Sequence, residues 1–484
     1  MGGFLMAITT YTPQLQVRLI KLVGRRNGVS ERHAAAQRDL DLLHYLGDHG
    51  DAGTVTTSKN LTEAGTFTVS FADRSRRGLD TVYALVEPMD LIEIRAARVP
   101  TGGSLPLIMR GFVDQVQRKE SLGKDGEPIR TVVITGHDSG KLLEMSQVFY
   151  EIAPVAEKNF LSDFMLRADS GMALKIMKVG EFMNEIVDKV VNPRARKLFA
   201  VSSQAVGEFK LYSSVEEGSL TPSMMTSKEN KNQPLWKVME AYADRPWNEL
   251  FVEDEDRGPA IRFRPVPYKT VGGHFIMPGA IDPGTVAIED RDVVSWEARR
   301  GDKRIANWYW VSPERALMET NGALNQQSTR TRKHLDFEHP NSREDLYGAK
   351  KMEFFSHLIP DITRHPTTAP PAERQQILSK YVDWFHTRAE RLKEMNRDNS
   401  AFEECTATLK GSEALKVGRF LRLTRGELVS ELVSEGYVTK VTHEFKPLRT
   451  WTTAVELERC TGFLERSKLT SNPYWKQGIR GPYT

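Results

Sequence analysis

Acidic side chains that could act as a general acid and a general base are concentrated in one short segment of the sequence. They are Glu249, Glu253, Asp254, Glu255 and Asp256. Two carboxylates on either side of a glycosidic bond are the usual apparatus of glycoside hydrolysis. Short apolar alternations flank Asp254–Gly258 on both sides, however, and this pattern predicts a β-hairpin with a charged tip. We therefore expect an acidic turn, and a hydrolase pair is the alternative.

A glycine-containing segment, Gly136–Lys141, invites comparison with the phosphate-binding loop of nucleotide-binding proteins. It is one residue shorter than the GxxxxGK pattern, and Leu142 stands where Ser or Thr must hold magnesium. The segment predicts a strand that leaves its sheet and runs into the start of a helix. We expect no nucleotide site there.

Histidine and carboxylate side chains alternate at His334, Asp336 and Glu338, with His339 next to them. On a strand the first three would share a face, and imidazole and carboxylate groups are ligands for zinc or manganese. No second ligand group stands at a recognisable spacing, so we expect a polar edge or an interface loop. The same reasoning covers the other candidate histidines, which are His33, His44 and His49. The sequence predicts no metal site and no cofactor.

Nucleophilic catalysis finds no support in the sequence. There is no GxSxG segment, and neither cysteine has a convincing histidine partner. Cys405 and Cys460 fit a chain matured in a reducing cytosol, where they are expected as buried free thiols. A disulfide between them is the alternative if the last strands of the chain bring them together. We predict no catalytic residue and no enzymatic activity.

The composition is that of a soluble, folded protein of roughly three or four domains, with 484 residues, 39% hydrophobic and 27% charged. No apolar run is long enough to span a membrane, and the first residues lack the basic region of a signal peptide. A net charge of +3 does not indicate a protein that binds polyanions. Local basic groups have acidic neighbours, so we expect solvated faces or ion pairs between subunits rather than nucleic-acid contacts. These groups are Arg74, Arg76 and Arg77; Arg299, Arg300, Lys303 and Arg304; and Arg330, Arg332 and Lys333.

Two regions far apart in the chain share one pattern of alternating apolar and polar residues, which is typical of half-buried strands. The later region contains Cys405–Leu409, Arg419–Leu423, Gly436–Val441 and Trp451–Leu457. The earlier region contains Leu15–Val23, Phe67–Phe71, Asp90–Arg95, Gly111–Val116 and Arg130–Gly136. Gly111-Phe-Val and Gly436-Tyr-Val occupy corresponding places, which predicts two copies of one β module. The alternative is a chance likeness of two antiparallel meanders.

Helical periodicity separates and interrupts these regions. Apolar residues from Val179 to Val190 predict a helix that Asn192-Pro193 ends, and a second long helix is predicted to begin just after Pro370-Pro371. The fold class is thus α+β and β-rich, with two similar antiparallel β-barrel modules, an α/β domain between them and helical insertions. The expected boundaries are a first barrel module at 1–138 with a helical insertion at about 30–50, an α/β or α-rich domain at 139–245, a linking hairpin region at 246–285, a second barrel module at 286–462 with a helical insertion at about 340–400, and an extended tail at 463–484.

Three features resemble the central hub protein of contractile phage baseplates, a family related to the spike trimer of type VI secretion. The first is the hairpin sequence, with Pro246-Trp-Asn-Glu-Leu-Phe on one strand and Arg264-Pro-Val-Pro-Tyr at the end of the other. The second is the glycine-bounded turn and strand Gly411–Leu423. The third is the two-module plan, which covers most of the chain. The segment at 30–50 and the aromatic tail depart from the family pattern.

The resemblance implies a structural role without catalysis. It implies a homotrimer whose six modules alternate around a ring and join a six-fold tail tube to a three-fold spike in the virion tail. Its partners would be the tube protein, the central spike and other baseplate proteins, with DNA only in transit and no membrane. We expect a neutral or acidic lumen, because a cationic lining would hold DNA. A tail-tip peptidoglycan hydrolase and a type VI or tailocin spike component are the alternatives.

Overall fold

The protein is described from a computed structural model. The structure describes residues 13–32, 39–43, 53–73, 82–99, 102–122, 126, 128–148, 176–199, 207–220, 233–313, 339–364, 366, 369–424, 433–447 and 449–468. Thirteen of the strands in these ranges belong to one large sheet, and the remaining strands form small sheets of two or three.

The first 138 residues supply seven strands of the large sheet. The strands of this region are β1 (Gln14–Ile20), β2 (Val23–Arg26), β3 (Val29–Arg32), β4 (Asp39–Asp41), β5 (Thr54–Asn60), β6 (Thr66–Ala72), β7 (Leu91–Ala97), β8 (Leu107–Leu122) and β9 (Pro128–Asp138). In space they run β5-β6-β9-β8-β7-β1-β4, all antiparallel, while β2 and β3 form a separate ribbon. A short helix, α1 (Val82–Leu85), lies between β6 and β7. Alternation produces the buried face, as in β6, where Phe67, Val69 and Phe71 are buried and their neighbours are not.

The region from 139 to 245 carries most of the shorter helices. They are α2 (Lys141–Met145), α3 (Val179–Ile186), a π-helical turn (Val187–Val191), α4 (Asn192–Phe199) and α5 (Leu235–Tyr242). The strands here are short: β10 (Gln147–Val148), β11 (Met177–Lys178), β12 (Lys210–Ser213), β13 (Ser219–Leu220) and β14 (Gln233–Pro234). The apolar face of α3 packs with α5 in one hydrophobic core, where the rings of Phe182 and Tyr242 meet edge to face with centroids 5.2 Å apart.

Proline did not end the helix where the sequence predicted it. The chain passes from α3 through the π-helical turn into α4, with Asn192 and Pro193 as the first residues of α4. Proline is tolerated in the first turn of a helix, and a π-helical turn accommodates a break in the regular hydrogen bonding. The buried Asn192 amide also binds Phe209 in both directions, at 2.9 and 3.0 Å, which ties the turn to the strand that follows.

The expected hairpin is present and leads to the second set of large-sheet strands. Its strands are β15 (Asn248–Glu255) and β16 (Gly258–Pro265). The later strands are β17 (Thr285–Glu289), β18 (Val293–Arg299), β19 (Trp308–Pro313), β20 (Lys351–Ser356), β21 (Glu403–Lys410), β22 (Phe420–Thr424), β23 (Val433–Lys446) and β24 (Thr450–Cys460). A 3₁₀ turn (Asp290–Asp292) links β17 to β18. In space six of them run β18-β21-β24-β23-β22-β17, and the β17–β22 pair is parallel.

Residues 340–400 contain the predicted long helix. The helices are α6 (Glu344–Tyr347) and α7 (Pro371–Asn396), and α7 begins at the second proline of Pro370-Pro371, as predicted. Strand β19 was expected in the second module, but it pairs in parallel with β20 outside the large sheet. Helix α7 packs against β19 and against Trp247 at the start of the hairpin, so this insertion supports the hairpin from one side.

At the ends of these regions one expectation was wrong and one stays a prediction. Between 30 and 50 the spacing predicts a helix; in the structure β3 ends at Arg32, β4 pairs with β1, and Leu43 has a helical conformation. Residues 33–38 and 44–50 lie outside the described residues. The tail was expected to be extended from 463, but helix α8 (Gly462–Lys468) occupies its beginning, and the rest lies outside the described residues.

The two sets of strands are joined edge to edge, because β23 pairs antiparallel with β5 over Lys440–Phe445 and Val55–Asn60. We call β1 and β4–β9 the first half of the sheet, and β17, β18 and β21–β24 the second half. The fold is therefore β-rich, as predicted, and it is built on one large, mostly antiparallel sheet. Its division into two barrel modules stays a prediction.

Candidate functional site

Corresponding strands of the two halves occupy corresponding places. In chain order β1, β5, β6, β7, β8 and β9 match β17, β18, β21, β22, β23 and β24, and the spatial order is the same in both halves. The one difference in strand direction among these pairings is that β1 is antiparallel to β7, whereas β17 is parallel to β22. Each half thus has a long hairpin, β8–β9 or β23–β24, at its centre.

Both long hairpins carry a β-bulge in the same place. The register shifts between Val113 and Gln115 in β8, and between Val438 and Lys440 in β23. Each bulge follows the Gly-aromatic-Val segment that the sequence comparison aligned. A bulge bends its strand and increases the local twist, so the two hairpins are bent at equivalent positions.

The charged hairpin β15–β16 lies between the two halves. Its register runs from Asn248↔Pro265 to Glu255↔Gly258, which leaves Asp256 and Arg257 at the tip. Leu250 of the hairpin belongs to the core shared with the helical region, whereas Phe251 on its other face belongs to the core of the second half. Because successive side chains of β15 point to opposite faces, this one strand packs against two different hydrophobic cores.

Toward the first half, the hairpin is held by a buried triad. Lys59 of β5 lies 2.6 Å from Asp254 of the hairpin and 3.2 Å from Asp138 at the end of β9. Burial disfavours the charged amine, but the two carboxylates outweigh it and raise the pKa of Lys59. Burial raises the pKa of Asp138 to about 6, in opposition to Lys59. The triad joins three elements that are distant in the sequence.

The hairpin tip is bound to the first half by arginines. Arg110 of β8 pairs with Glu93 at 2.8 Å and donates a hydrogen bond to the Glu255 carbonyl at 3.2 Å. Arg95 lies 2.6 Å from Glu93 and also 2.6 Å from Asp256 at the tip. Hydrogen bonds from both arginines lower the pKa of Glu93 against the effect of its burial. The tip carboxylates thus have cationic partners.

Toward the second half, Glu249 is the central group. Its carboxylate accepts hydrogen bonds from the Tyr437 hydroxyl at 2.6 and 2.7 Å and lies 2.6 Å from Arg264. Burial raises the pKa of Glu249, against the influence of Arg264 and Tyr437. Glu253 lies 2.9 Å from Lys416, which precedes β22. The carboxylates considered for hydrolysis are therefore occupied by structural ion pairs.

Two cavities lie beside this contact, with volumes of about 310 and 510 Å³. Tyr268 and Tyr437 line both of them, and their rings meet edge to face with centroids 5.9 Å apart. In the smaller cavity Lys269 and Arg422 are paired with Glu435 at 2.8 and 2.7 Å, whereas the buried Nε of Arg459 has no hydrogen-bond partner among the described residues.

The segment compared with a phosphate-binding loop lies where the charged hairpin contacts the first half of the sheet. Gly136–Asp138 ends β9, and Lys141 begins the short helix α2, as the strand-to-helix prediction required. Asp138 accepts a hydrogen bond from the Gly140 amide at 2.8 Å, and Ser139 donates one to Asp254 at 2.9 Å. These polar groups bind the hairpin.

The other candidate residues do not form a site in the described part of the chain. His334, Asp336, Glu338, His33, His44 and His49 lie outside it, and His339 faces Asp398 at 3.7 Å. Within the described ranges no group of three or more potential metal ligands occurs. Cys405 and Cys460 are buried free thiols, and burial together with the contact with Cys405 raises the pKa of Cys460.

Arginines of the basic group at 299–304 are paired with acidic side chains of the second half of the same chain, and whether this face contacts another subunit stays a prediction. Arg299 and Arg304 lie 3.1 and 2.8 Å from Glu404. The groups at 74–77 and 330–333 lie outside the described residues. None of the helices that the structure describes is both long and apolar enough to cross a membrane.

Sequence reasoning missed Lys59, Asp138 and Arg110 as residues that hold the charged hairpin against the first half of the sheet. A lysine and an aspartate at strand ends carry no local signal of pairing, since their partners are more than 70 residues away. Arg110 stands next to the aligned Gly111, so an alignment of the two modules could have drawn attention to it.

No protein-family model matches the sequence, and no curated protein matches it. Its neighbours among solved structures are phage tail and type VI secretion proteins. The 43 kDa tail protein of prophage MuSo2 from Shewanella oneidensis is 9% identical, with a TM-score of 0.46 over 92% of this chain and 96% of that one. A tail protein from Neisseria meningitidis is 11% identical, with a TM-score of 0.44 over 93% and 97%.

A component of the E. coli type VI secretion system is also similar, at 11% identity and a TM-score of 0.38 over 84% of this chain and 73% of that one. All of these TM-scores are below 0.5. The strand pairing and the ion pairs of this chain itself support the functional proposal.

Proposed function

We propose that this protein is the structural hub of a contractile phage tail baseplate. Three copies would form a ring of six sheet modules, which joins a six-fold tail tube to a three-fold central spike and surrounds part of the DNA channel. The protein would reside in the virion tail and bind the tube protein, the spike and other baseplate proteins. It would have no catalytic role.

The observation that carries this proposal is the repetition of one strand order, with a bulge at Val113 and at Val438. The repeat extends beyond the strands. Helix α2 starts five residues after Gly136, which pairs with Val113, and α8 starts five residues after Leu457, which pairs with Val438. Two copies of one module in each chain allow a three-fold body to present a six-fold rim.

The joint between the halves supports a ring of fixed geometry. The β23–β5 pairing and the charged hairpin hold neighbouring modules of one chain together through both backbone and side-chain contacts. Adjacent units of a load-bearing ring need such a contact, because edge strands left unpaired are sites of uncontrolled association. The buried triad around Lys59 and the Glu249–Tyr437 contact fit this mechanical role.

The oligomeric state of the purified protein tests the proposal. We expect light scattering after size exclusion to give the mass of a trimer, and cryo-electron microscopy to show six similar modules around a channel. A chain that stays monomeric at tens of micromolar, alone and with its spike protein, would contradict the hub.

Peptidoglycan zymography provides the second test. We expect no clearing from the wild-type protein. Clearing that Glu249→Gln or Glu253→Gln abolishes would contradict a purely structural role and favour the hydrolase alternative.

A further inference from the structure

Several strand edges of the sheet have no ladder partner among the described strands, and two of them, on β8 and β18, occupy matching places in the two halves of the internal β23–β5 pairing. In β8, residues up to Phe112 pair with β7, whereas Gln115–Leu122 pair with β9 alone. Strand β18 at the far end of the sheet pairs only with β21. Both segments are largely exposed to solvent. An exposed edge strand presents unpaired amides and carbonyls that can accept another strand.

The β23–β5 pairing inside one chain shows which strand pairs with the edge of a long hairpin in this fold. Strand β23 occupies in the second half the place that β8 occupies in the first, and β5 matches β18 in the same way. The C-terminal part of β23 pairs with β5. The matching partner of the C-terminal part of β8 is therefore β18. Within one chain β8 and β18 are separated by six strands of the sheet and do not pair with each other, so the matching partner comes from a second copy.

We propose that Gln115–Ser121 of one copy pairs antiparallel with Ser295–Gly301 of a second copy of this chain. This inference rests on the proposed ring and deepens it by assigning the interface and its register. Because the same edge pair recurs in every copy, the contact is heterologous and closes into a ring when the rotation permits.

The pairings of the two halves determine which residues correspond. In the first half, the opposed residues run Val113↔Gly136, Gly136↔Phe67 and Phe67↔Thr57. In the second half they run Val438↔Leu457, Leu457↔Cys405 and Cys405↔Ala298. Thr57 thus corresponds to Ala298, and Val113 corresponds to Val438.

Transferring the internal register gives specific opposed pairs. Inside the chain, His443 is opposite Thr57 and Glu444 is opposite Thr56. Between copies, Arg118 would therefore be opposite Ala298, and Lys119 would be opposite Glu297.

The orientation of the side chains agrees with this register. Arg118 is on the face of β8 whose neighbour in β9 is the buried Val132, and Ala298 is on the face of β18 whose neighbour in β21 is the buried Cys405. The proposed pairing places these two core-side faces together. A slip of one residue would oppose a core-side face to a solvent-side face, which sheets avoid.

Charge favours the same partner. Lys119 and Glu297 are exposed on the outer face of their strands and carry opposite charges. Opposite charges directly across a strand pair are favourable, whereas β8 against a second β8 would bring Arg118 and Lys119 close to their own copies. The pair therefore selects β18 over self-pairing.

Cysteine cross-linking tests the register in the full-length protein. The variant Lys119→Cys/Glu297→Cys, oxidised with copper phenanthroline, is expected to give disulfide-linked trimers on a non-reducing gel, because directly opposed residues lie within disulfide reach. The matched control Lys119→Cys/Arg299→Cys moves one cysteine by two residues on the same face and should cross-link several-fold more slowly. Wild-type protein, whose two cysteines are buried, should not cross-link.

The outcomes separate this inference from the proposed function. If the protein is a trimer but the control cross-links as fast as the designed pair, or neither cross-links, the register is wrong and the hub stands. If the protein is monomeric and neither variant cross-links, the hub itself fails. Cross-linked ladders that extend beyond trimers would overturn the closed ring.

Charge exchange gives an independent measurement. Lys119→Glu or Glu297→Lys alone is expected to lower the fraction of trimer severalfold at low salt, and the double exchange should restore it. Equal loss in the double variant would overturn the Lys119–Glu297 pair.

Discussion

Buried ionisable side chains lie where the hairpin meets the two halves of the sheet, and Lys59 is one of them. The Lys59 amine forms ion pairs with two carboxylates, Asp138 and Asp254, that would otherwise repel each other. Removing one member of a buried ion pair costs far more than the pair contributes, because a charge is left without a partner. Single residues at this joint should therefore have large effects on stability.

We expect Lys59→Met to destabilise the protein by about 3 kcal/mol at neutral pH. The loss should shrink as the pH falls through about 6, where Asp138 takes up a proton and no longer needs a cation. Chemical denaturation at several pH values measures this. The control is Lys440→Met, which removes a solvent-exposed pair with Glu456 and should cost at most about 0.5 kcal/mol. Equal losses in the two variants would contradict the role of the triad.

His443 lies on β23 within its pairing with β5 and should make stability depend on pH. Burial lowers the pKa of His443 to about 4, below its ordinary value of 6.5, and Trp451 and Thr453 contact the imidazole. Between pH 6.5 and 4 the unfolded chain binds more protons than the folded one, so this contribution is complete above pH 6.5 and is lost on acidification. Acidification from pH 6.5 to 4 should therefore lower the free energy of unfolding by about 3 kcal/mol.

The variant His443→Gln should lack this pH dependence, so the stability difference between wild type and variant should narrow as the pH falls from neutral toward 4. Thermal unfolding across that range measures it. The control is His274→Gln, which replaces an exposed histidine between β16 and β17. A constant difference across the range would show that His443 is not the titrating group.

At the scale of elements, the two long hairpins depend on glycine at the same position. A side-chain carbon on Gly111 would lie 2.2 Å from the His137 carbonyl oxygen, and one on Gly436 would lie 2.5 Å from the Cys460 sulfur. Each glycine precedes the aromatic residue and the bulge valine of its hairpin. Close approach of neighbouring strands, rather than a special backbone angle, explains both glycines.

Gly111→Ala is therefore expected to destabilise the first half by about 2 kcal/mol, because the backbone contact leaves the added carbon no space. Gly103→Ala is the matched control, since nothing lies within 4 Å of its added carbon, and it should change stability by less than about 0.5 kcal/mol. Melting temperatures of the two variants give the comparison. Equal melting temperatures would mean that the strands separate readily at this point.

At the scale of the whole molecule, basic and acidic side chains nearly cancel and leave a net charge of +3. In the proposed ring, DNA would pass through the lumen, and a cationic lining would retain it through phosphate contacts and counterion release. We expect a neutral or acidic lumen in the assembled trimer. The surface potential of a cryo-electron microscopy structure measures this, and a cationic lumen would contradict it.

The same expectation has a solution test. Fluorescence anisotropy with labelled duplex DNA should show no salt-dependent binding to the purified trimer. Binding that weakens steeply with added salt would contradict transit without retention.

The individual strands, the charged hairpin and the long helix α7 could be read from the sequence. Alternation in Phe67–Phe71 or Trp451–Leu457 is a local property, and so are the proline start of α7 and the turn at Asp256-Arg257. Two-residue and 3.6-residue periods are set by backbone geometry, so they appear in the sequence before any tertiary contact is known.

Tertiary structure alone decided which strand edges meet and which charges are buried together. The β23–β5 pairing and the triad of Lys59, Asp138 and Asp254 both depend on partners far away in the chain. Pairing between strands depends on which edges the folded chain brings into reach, and burial of a charge depends on what covers it. Neither the pairing of distant strands nor the burial of a charge leaves a periodic pattern in the local sequence.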